Sequence, residues 1–598
     1  MKKHTLYTWD LSPLVPQNIP SFIIKEQKNI SRAWHAFKHT WEPRTDYLTS
    51  PRVLRQALDD YEHLQRVHGF EGNTGFYFWL RAQQNETDPA IKAGLHTAEE
   101  FGSRMQNLAL FFTHRISRMP RTTQKKMLAN PLCAPYKHFL ERLFAESSHL
   151  LSESEEKILT LTSPAAHSDW VRMTSSLLSA QKRPVQIHGA PQEKNFTEIT
   201  SLISDQSKKT RDSAAAALND ILRTYEPIAE AEINAILGHK KVIDDLRKFS
   251  RADAARHLGD DIGTPVVDTL VRVVSEAYDI SQKYYRLKAR LLKVPQLAYH
   301  ERNTSLPYSN QQKTYSFEET LHIIARVFKR LDPSYASIYE SFITQKRVDV
   351  FPHTGKRSGA FCAHGTIAQP VYIMLNHTNT IHDVLTFAHE LGHGINDELM
   401  KIHQNALTFG TTLATAETAS TFMEDFVFEE ILGATTGPHK LALIMEKLNG
   451  DVSTIFRQIA CYQFEQDLHT AYRASGYLSS KAIGKLFKKH MAAYMGSAVA
   501  QPIDSERWWI HWAHIRSFFY NYSYASGLLI SKSLQASVRK NPNHMSCVKE
   551  FLSAGLSDSP AHLFKKLGID ITQSSFWDAG IHEIRSLLNQ AESLARTM

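Results

Sequence analysis

Cysteine is scarce in this sequence. Four occur in 598 residues, at Cys133, Cys362, Cys461 and Cys547, and no two form a CxxC pair. That leaves no basis for a disulfide framework or a thiolate zinc site, and a reducing cytoplasm is expected. Long apolar runs are missing as well. No stretch approaches the ~18 residues that cross a bilayer, so no membrane partner is expected. The opening "MKKHTLYTWDLSPLVP" has two lysines but no apolar segment behind them, which reads as no secretory signal. Charge of one sign is not concentrated either. Lys and Arg number 69 against 61 Asp and Glu, a net charge of +8, and only short basic pairs such as Lys125-Lys126 and Lys240-Lys241 occur. A nucleic-acid surface needs a basic stripe, so no nucleic-acid partner is expected.

What is present is mostly amphipathic helix. "SFEETLHIIARVFKRLDP" opens with a capping box, Ser316 and Glu319, and then repeats Leu321, Ile324, Phe328 and Leu331 at helical spacing up to Pro333. Ser152 and Glu155 form a second Ser-x-x-Glu start. "RDSAAAALNDILRTYEP" has high helix propensity and is expected to end before Pro227. The stretch 179–195, rich in Pro, Gln and Gly, reads as a boundary loop. It divides the chain into a helical region, 1–190, and a second region, 191–598. Strand signals are few: "RVDVF" (347–351) and "PVYIMLN" (370–376), with a glycine-rich loop between them. Such a strand can add an extended peptide at its edge or serve only as a structural hairpin.

Just downstream lies "LTFAHELGHGIN", residues 385 to 396. Its pentad His389-Glu390-Leu391-Gly392-His393 sits in a run, 381–399, whose apolar residues recur at helical spacing. With 30 histidines in the chain, coincidence has to be weighed. Two imidazoles four residues apart project from one helix face and can reach one zinc ion. Glu390 lies one position on, where it can reach a water bound to that ion. A zinc-bound water loses its proton near pH ~7, and a carboxylate beside it can take that proton and hand it to a leaving amine.

A hydrolytic zinc needs a third protein ligand. The H-E-x-x-H-x-x-G-x-x-H pattern would require Gly at 396 and His at 399; the chain has Asn396 and Leu399, which removes that class. A glutamate on a second helix is the alternative. "TTLATAETASTFMEDFVFEEILG" reads as that helix, with Glu417 among Ala414, Ala416, Ala419 and Ser420, small residues that let two helices approach. Glu424, two turns on, is placed to orient a ligand imidazole from behind. Glu429 and Glu430 read as solvated, Asp397 at most as an outer contact, and His364 and His377 as surface or loop residues.

The segment "KRSGAFCAHGTIAQPVYIMLNHTNTIHDVLTFAHELGHGIND", followed by "AETASTFMED", closely resembles oligoendopeptidase F, in the thimet oligopeptidase superfamily of zinc metallopeptidases. "TWDLSPLVP", "HLLSESEEKIL" and "YEPIAEAEINAILGHKKVIDDLRKF" extend the resemblance over nearly the whole chain. It implies a mainly α fold: two helical lobes enclosing a deep channel, with a zincin-type HExxH helix and a few short strands beside the active site. It implies one Zn2+ held by His389, His393 and Glu417, with Glu390 activating the bound water, and cleavage of internal bonds in short unfolded peptides. The sequence does not give the oligomeric state, and a monomer is the working assumption. It also implies a C-terminal His and Tyr cluster, for which "WWIHWAHIRSFFYNYSYASGLL" supplies His514, Tyr520, Tyr522, Tyr524 and Gly527 as oxyanion donors and substrate clamps. Aromatic stripes are usually core and His511 competes with His514, but the functional reading is preferred for His514 and Tyr524 over Tyr520 and Tyr522. The chain departs from the family at Asn396, where a second histidine is common. Two other readings are a catalytically silent peptide-binding protein on the same fold and a basic nucleic-acid-associated protein.

Overall fold

The computed structural model describes residues 7–16, 19–306 and 313–597. Among them the chain is mainly α-helical, with five short strands in two small sheets. Three hydrophobic cores organise it. The first lies within residues 30–144 and is built on aromatic rings: Trp34, Phe37, Trp41, Tyr47, Tyr61 and Phe112. Their helices, Ile19–Trp41, Pro51–Val67, Pro89–Ser117 and Lys137–Glu146, each turn an apolar stripe inward. The second and largest core runs from Leu178 to Ala591 and contains the pentad helix. The third is small. It packs Trp9, Leu11, Leu14 and Val15 of the "TWDLSPLVP" segment onto Phe76, Leu80, Tyr372 and Met374. The Trp9 indole donates to the Ile373 carbonyl at 2.8 Å, and the Tyr372 hydroxyl donates to the Asp10 carbonyl at 2.9 Å. This strap ties the sheet beside the pentad helix to the helix Gly72–Gln84.

Both capping boxes form, at Ser316/Glu319 and Ser152/Glu155. Other local expectations are corrected. Helix Lys208–Leu246 continues through Pro227. Proline inside a helix costs about 3 kcal/mol. Ile221, Leu222, Ile233 and Ile236 are fully buried on either side, each worth roughly 1.5–3 kcal/mol, and this outweighs it. The stretch expected as a boundary loop holds a hairpin, β1 (Lys182–Ile187) and β2 (Ala190–Asn195). Its two turn residues, His188 and Gly189, have φ of 51° and 86°, the primed geometry that suits strand twist. Val185 of β1 is fully buried in the large core, so tertiary packing supplies what periodicity did not signal.

The second sheet is three-stranded, in the order β3-β5-β4 (Val348–Asp349, Tyr372–Met374 and Phe361–Ala363). β3 and β5 are parallel, β4 and β5 antiparallel. β4 falls within the stretch expected as loop. Only three residues long and flanked by turns, it has too little alternation to register as a strand. β5 is the buried centre and β4 an edge.

Candidate active site

The pentad lies on helix Ile381–His403, which a capping box at Thr380 and Asp383 starts. One turn separates His389 from His393, and their rings stand 5.1 Å apart, nearly perpendicular. Glu390 points to the buried side of the same helix. Burial raises its pKa and the Glu417 charge adds to this; the two imidazoles and the Cys362 backbone of edge strand β4 act in the opposite direction.

Glu417 comes from the neighbouring helix, Thr418–Gly433. The run was expected to be helical from Thr411, but the helix starts at Thr418 and Glu417 occupies its N-cap position. The two helices are almost in backbone contact. A Cβ on Gly392 would lie 2.5 Å from Ser420 Cα and 2.6 Å from the Ala419 carbonyl oxygen. On the other side, a Cβ on Gly527 would lie 2.9 Å from Glu417 Cβ, so helix Tyr522–Lys540 closes in as tightly. The Glu417 carboxylate is thereby delivered to the histidines. Its Oε2 is 3.2 Å from His389 Nε2 and 3.6 Å from His393 Nε2. Ser420 Oγ donates to the same oxygen at 3.0 Å.

These three side chains offer ligand atoms within 4.8 Å of one another, as one cation would require. Glu424 accepts from His389 Nδ1 at 3.1 Å, which leaves Nε2 directed at Glu417. The electrostatics favour positive charge here. Burial disfavours the His389 imidazolium, but hydrogen bonds to Glu417 and Glu424 and the Glu424 charge outweigh it and raise its pKa to about 10. Burial would raise the Glu417 carboxyl, yet the two imidazoles hold it far below the carboxylate range. Among the described residues, two other His/acid groups come equally close together, His138/Glu141/Asp558 and Asp212/His300/Glu301. Both are engaged in ion pairs: Asp558 with Lys566, Glu301 with Arg211 and Lys208.

His514 and Tyr524 form a hydrogen-bonded pair beside this group. The Trp512 indole N–H donates to His514 Nδ1 at 3.0 Å, so the neutral ring carries its proton on Nε2, which donates to Tyr524 Oη at 3.0 Å. Burial and the nearby Arg457 keep the His514 pKa low. The Tyr524 hydroxyl is pushed up to about 12 by burial, Tyr520 and Glu417, so it stays protonated at neutral pH. Tyr524, His389, Glu417 and Glu424 line one cavity of about 530 Å3, with Leu385, Phe428, Leu443 and Leu528 as its apolar wall. The Tyr520 ring packs 5.3 Å from that of Tyr524.

Tyr522 is corrected. It starts the helix two residues before Tyr524, about 200° around the axis. Its ring is fully buried, and its hydroxyl donates to Asp260 at 2.6 Å. His511 is likewise separate from His514, half-buried with its ring against Trp508 and Phe196. The segment before Tyr520 is strained. Phe518 and Phe519 have φ of 44° and 57°, uncommon for aromatic side chains. Glu465 holds that segment by accepting from the Phe519 backbone at 2.7 Å and from Asn521 at 2.6 Å.

Several flanking residues differ from expectation. His377 lies in a loop, one of the two expected settings, but it is buried there, 3% exposed and within hydrogen-bonding distance of Thr320. His364 does lie in a loop, paired with Asp397 at 2.9 Å. Glu430 binds Arg326 and Arg330, each at 2.8 Å, and Glu429 binds Arg539, so neither is simply solvated. Asn396 donates to the Leu552 carbonyl at 2.6 Å, tying the pentad helix to helix Met545–Ser553.

A model of peptidase family M3 matches residues 201–583, a span that takes in every residue of this site. The chain belongs to peptidase family M3. A second model, described as Oligopeptidase F, matches residues 115–181. Group B oligopeptidase PepB of Streptococcus agalactiae is 25% identical over 481 residues, covering 79% of this chain and 78% of that one. An oligoendopeptidase F homolog of Borreliella burgdorferi is 24% identical over 599 residues and covers 98% of each. The fold is shared with oligoendopeptidase-F from Enterococcus faecium, with a TM-score of 0.71, 18% identity and coverage of 97% and 99%. This M3 peptidase is therefore an oligoendopeptidase-F-like hydrolase acting on peptides. Around its site the sequence did not mark Lys447, Trp512 or Glu465. A lysine in a helix reads as a solvated face, and an aromatic as core.

Proposed function

We propose that this M3 peptidase is a zinc-dependent endopeptidase of short, unfolded oligopeptides. The observation that carries the reading is the convergence of His389 Nε2, His393 Nε2 and the Glu417 carboxylate, with Glu424 taking the remaining nitrogen of His389. Two imidazoles and one carboxylate are a donor set suited to catalytic zinc. When bound, the ion would supply Lewis-acid polarisation and acidify a water in its open position. Glu390, buried beside the imidazoles, takes the proton of the attacking water and delivers it to the leaving amine. His514 holds Tyr524 by donating to its oxygen, which directs the tyrosine proton outward to the developing oxyanion. Tyr520 is the alternative donor.

Edge strand β4 is the candidate backbone partner for an extended peptide. The preference for short peptides is supported by the relatives, which are named as oligopeptidases and oligoendopeptidases. A channel between two helical lobes would admit a single unfolded strand, with residues 1–190 forming one wall region and 191–598 the catalytic one. Cytoplasmic residence is supported by four unpaired cysteines; no described helix is long and apolar enough to cross a membrane. A monomer is the assumed working form.

The test is hydrolysis of a quenched fluorescent peptide with and without a chelator. Chelator-sensitive cleavage restored by zinc is expected. Tight peptide binding with no cleavage by the zinc-loaded protein would select the silent peptide-binding reading instead. Peptides of roughly 5 to 20 residues should be cut and denatured casein should resist, since a channel ~10–20 Å wide admits one chain.

A further inference from the structure

Behind Glu424 lies a buried network of charges that the peptidase reading does not use. Glu424 divides its two oxygens: Oε2 faces His389 Nδ1 at 3.1 Å, and Oε1 faces Lys447 Nζ at 3.1 Å. Lys447 also pairs with Asp425. Lys532 reaches Asp425 at 3.4 Å and Asp451 at 3.1 Å, and Gln535 donates to Asp425 at 3.0 Å. Asp425, Asp451 and Lys532 are all less than 10% exposed, and the Lys447 side chain is 11% exposed. Glu424 and Asp425 come from helix Thr418–Gly433, Lys447 and Asp451 from helix Gly437–Asp451, and Lys532 and Gln535 from helix Tyr522–Lys540. The network therefore joins the helix that follows Glu417 to the helix that carries Tyr524.

Its charges do not cancel. Three carboxylates meet two ammonium groups, one negative charge in excess. Of the three carboxylates, Glu424 is the one hydrogen-bonded to His389.

We propose that Lys447 is a positioning residue for the metal site: it pins Glu424 against His389 Nδ1 and so keeps Nε2 free and aimed at the cation. This rests on the zinc reading above. A carboxylate held at one oxygen only can rotate about its terminal bond, whereas one held at both presents a fixed acceptor. That acceptor selects the His389 tautomer with its proton on Nδ1. A merely structural lysine would do something else: neutralise Asp425 in the core and leave the histidine indifferent.

The two roles separate in a charge-balanced variant. Lys447→Met removes one positive charge. Adding Asp425→Asn removes one negative charge, so Glu424 and Asp451 face Lys532 and the excess is again one negative. Zinc affinity of the full-length protein is measured by competition with a chromogenic chelator, alongside thermal unfolding of the metal-free form. Both Lys447→Met and the double variant should bind zinc about 10- to 100-fold more weakly than wild type, the range for losing an outer partner of a metal histidine. Lys447→Arg, which keeps the charge, should recover most of the loss. If Lys447→Met fails to fold, the double variant carries the comparison. A double variant with wild-type zinc affinity, or an Arg variant that binds no better than Met, overturns the proposal. Wild-type protein that takes up no zinc, or whose uptake survives His389→Ala, removes the zinc reading and this proposal together.

Discussion

Replacing Gly392 with alanine adds one methyl group where two helices almost touch. A mid-helix glycine-to-alanine change by itself favours the helix by about 1 kcal/mol. Here the added Cβ would sit 2.5 Å from Ser420 Cα, 2.6 Å from the Ala419 oxygen and 2.9 Å from the Ala419 carbonyl carbon. Carbon atoms pack at about 3.5–4.0 Å, so the helices must part by about 1 Å. The obstructing atoms are backbone, and no rotamer can relieve them. Overpacking of this kind costs about 1–3 kcal/mol, enough to cancel the propensity gain. The functional cost is larger, because Glu417 immediately precedes the displaced turn and a 1 Å misplacement can cost ~10²-fold in rate. Gly392→Ala should therefore lose zinc affinity and about two orders of magnitude in kcat/KM, with a small fall in Tm. Gly394→Ala is the control. Its Cβ would meet the Phe342 ring at 2.6 Å, a side chain on the opposite side from Glu417's helix. It should lower Tm and leave zinc affinity near wild type. Zinc titration, calorimetry and peptide hydrolysis on both variants make the test. A Gly392→Ala protein with unchanged zinc affinity and turnover would refute the view that helix separation sets the site.

Glu390→Gln should bind zinc and peptide normally while cleavage falls by about 10²–10⁴, and undiminished turnover in the metal-loaded variant would sink the general-base role. Glu417→Ala should lose zinc; retained affinity and activity would move the third ligand to Glu424. Tyr524→Phe should lower kcat by roughly 10²–10³ with little change in KM, measured on a fluorogenic peptide. Tyr522→Phe should keep its turnover and lose about 1–3 kcal/mol of stability in urea, because Asp260 then lacks its donor. Burial pushes the Glu465 carboxyl from its ordinary 4.5 up to about 8. The native state then keeps a proton the unfolded chain has released, so the contribution is full below about 4.5 and is lost as pH rises through about 8. Urea midpoints of wild type and Glu465→Gln from pH 5 to 9 should differ increasingly toward alkaline pH, and a constant difference would refute the assignment.

Some of this was legible in the sequence for a plain physical reason: helical spacing is a local property. Four residues make about one turn, so the pentad alone places His389 and His393 side by side and Glu390 next to them. The capping boxes at Ser152 and Ser316 are equally local, and so is the shortage of strand-forming runs that made the fold mainly helical. Small residues around Glu417 announced a close approach, though not which residue would face them. Glycine at 392 serves that approach; the helical spacing places it on the apolar face of the pentad helix without showing what that face meets.

What depended on distant apposition had to come from the tertiary structure. In "YNYSY" three tyrosines alternate without preference. The strained turn at Phe518 and Phe519 and the helix start at Tyr522 decide that Tyr524 faces the cavity and Tyr522 faces Asp260. Pro227 reads as a stop until buried neighbours on both sides outweigh it. The hairpin at 182–195 shows no periodicity, because a strand this short is selected by the core that Val185 enters. Lys447 lies 58 residues beyond His389 in the chain and meets Glu424 only because two further helices pack against the Glu417 helix. A pattern in the sequence records which face of an element is apolar. It does not record which charged groups that face will meet once helices far apart in the chain are brought within 3 Å.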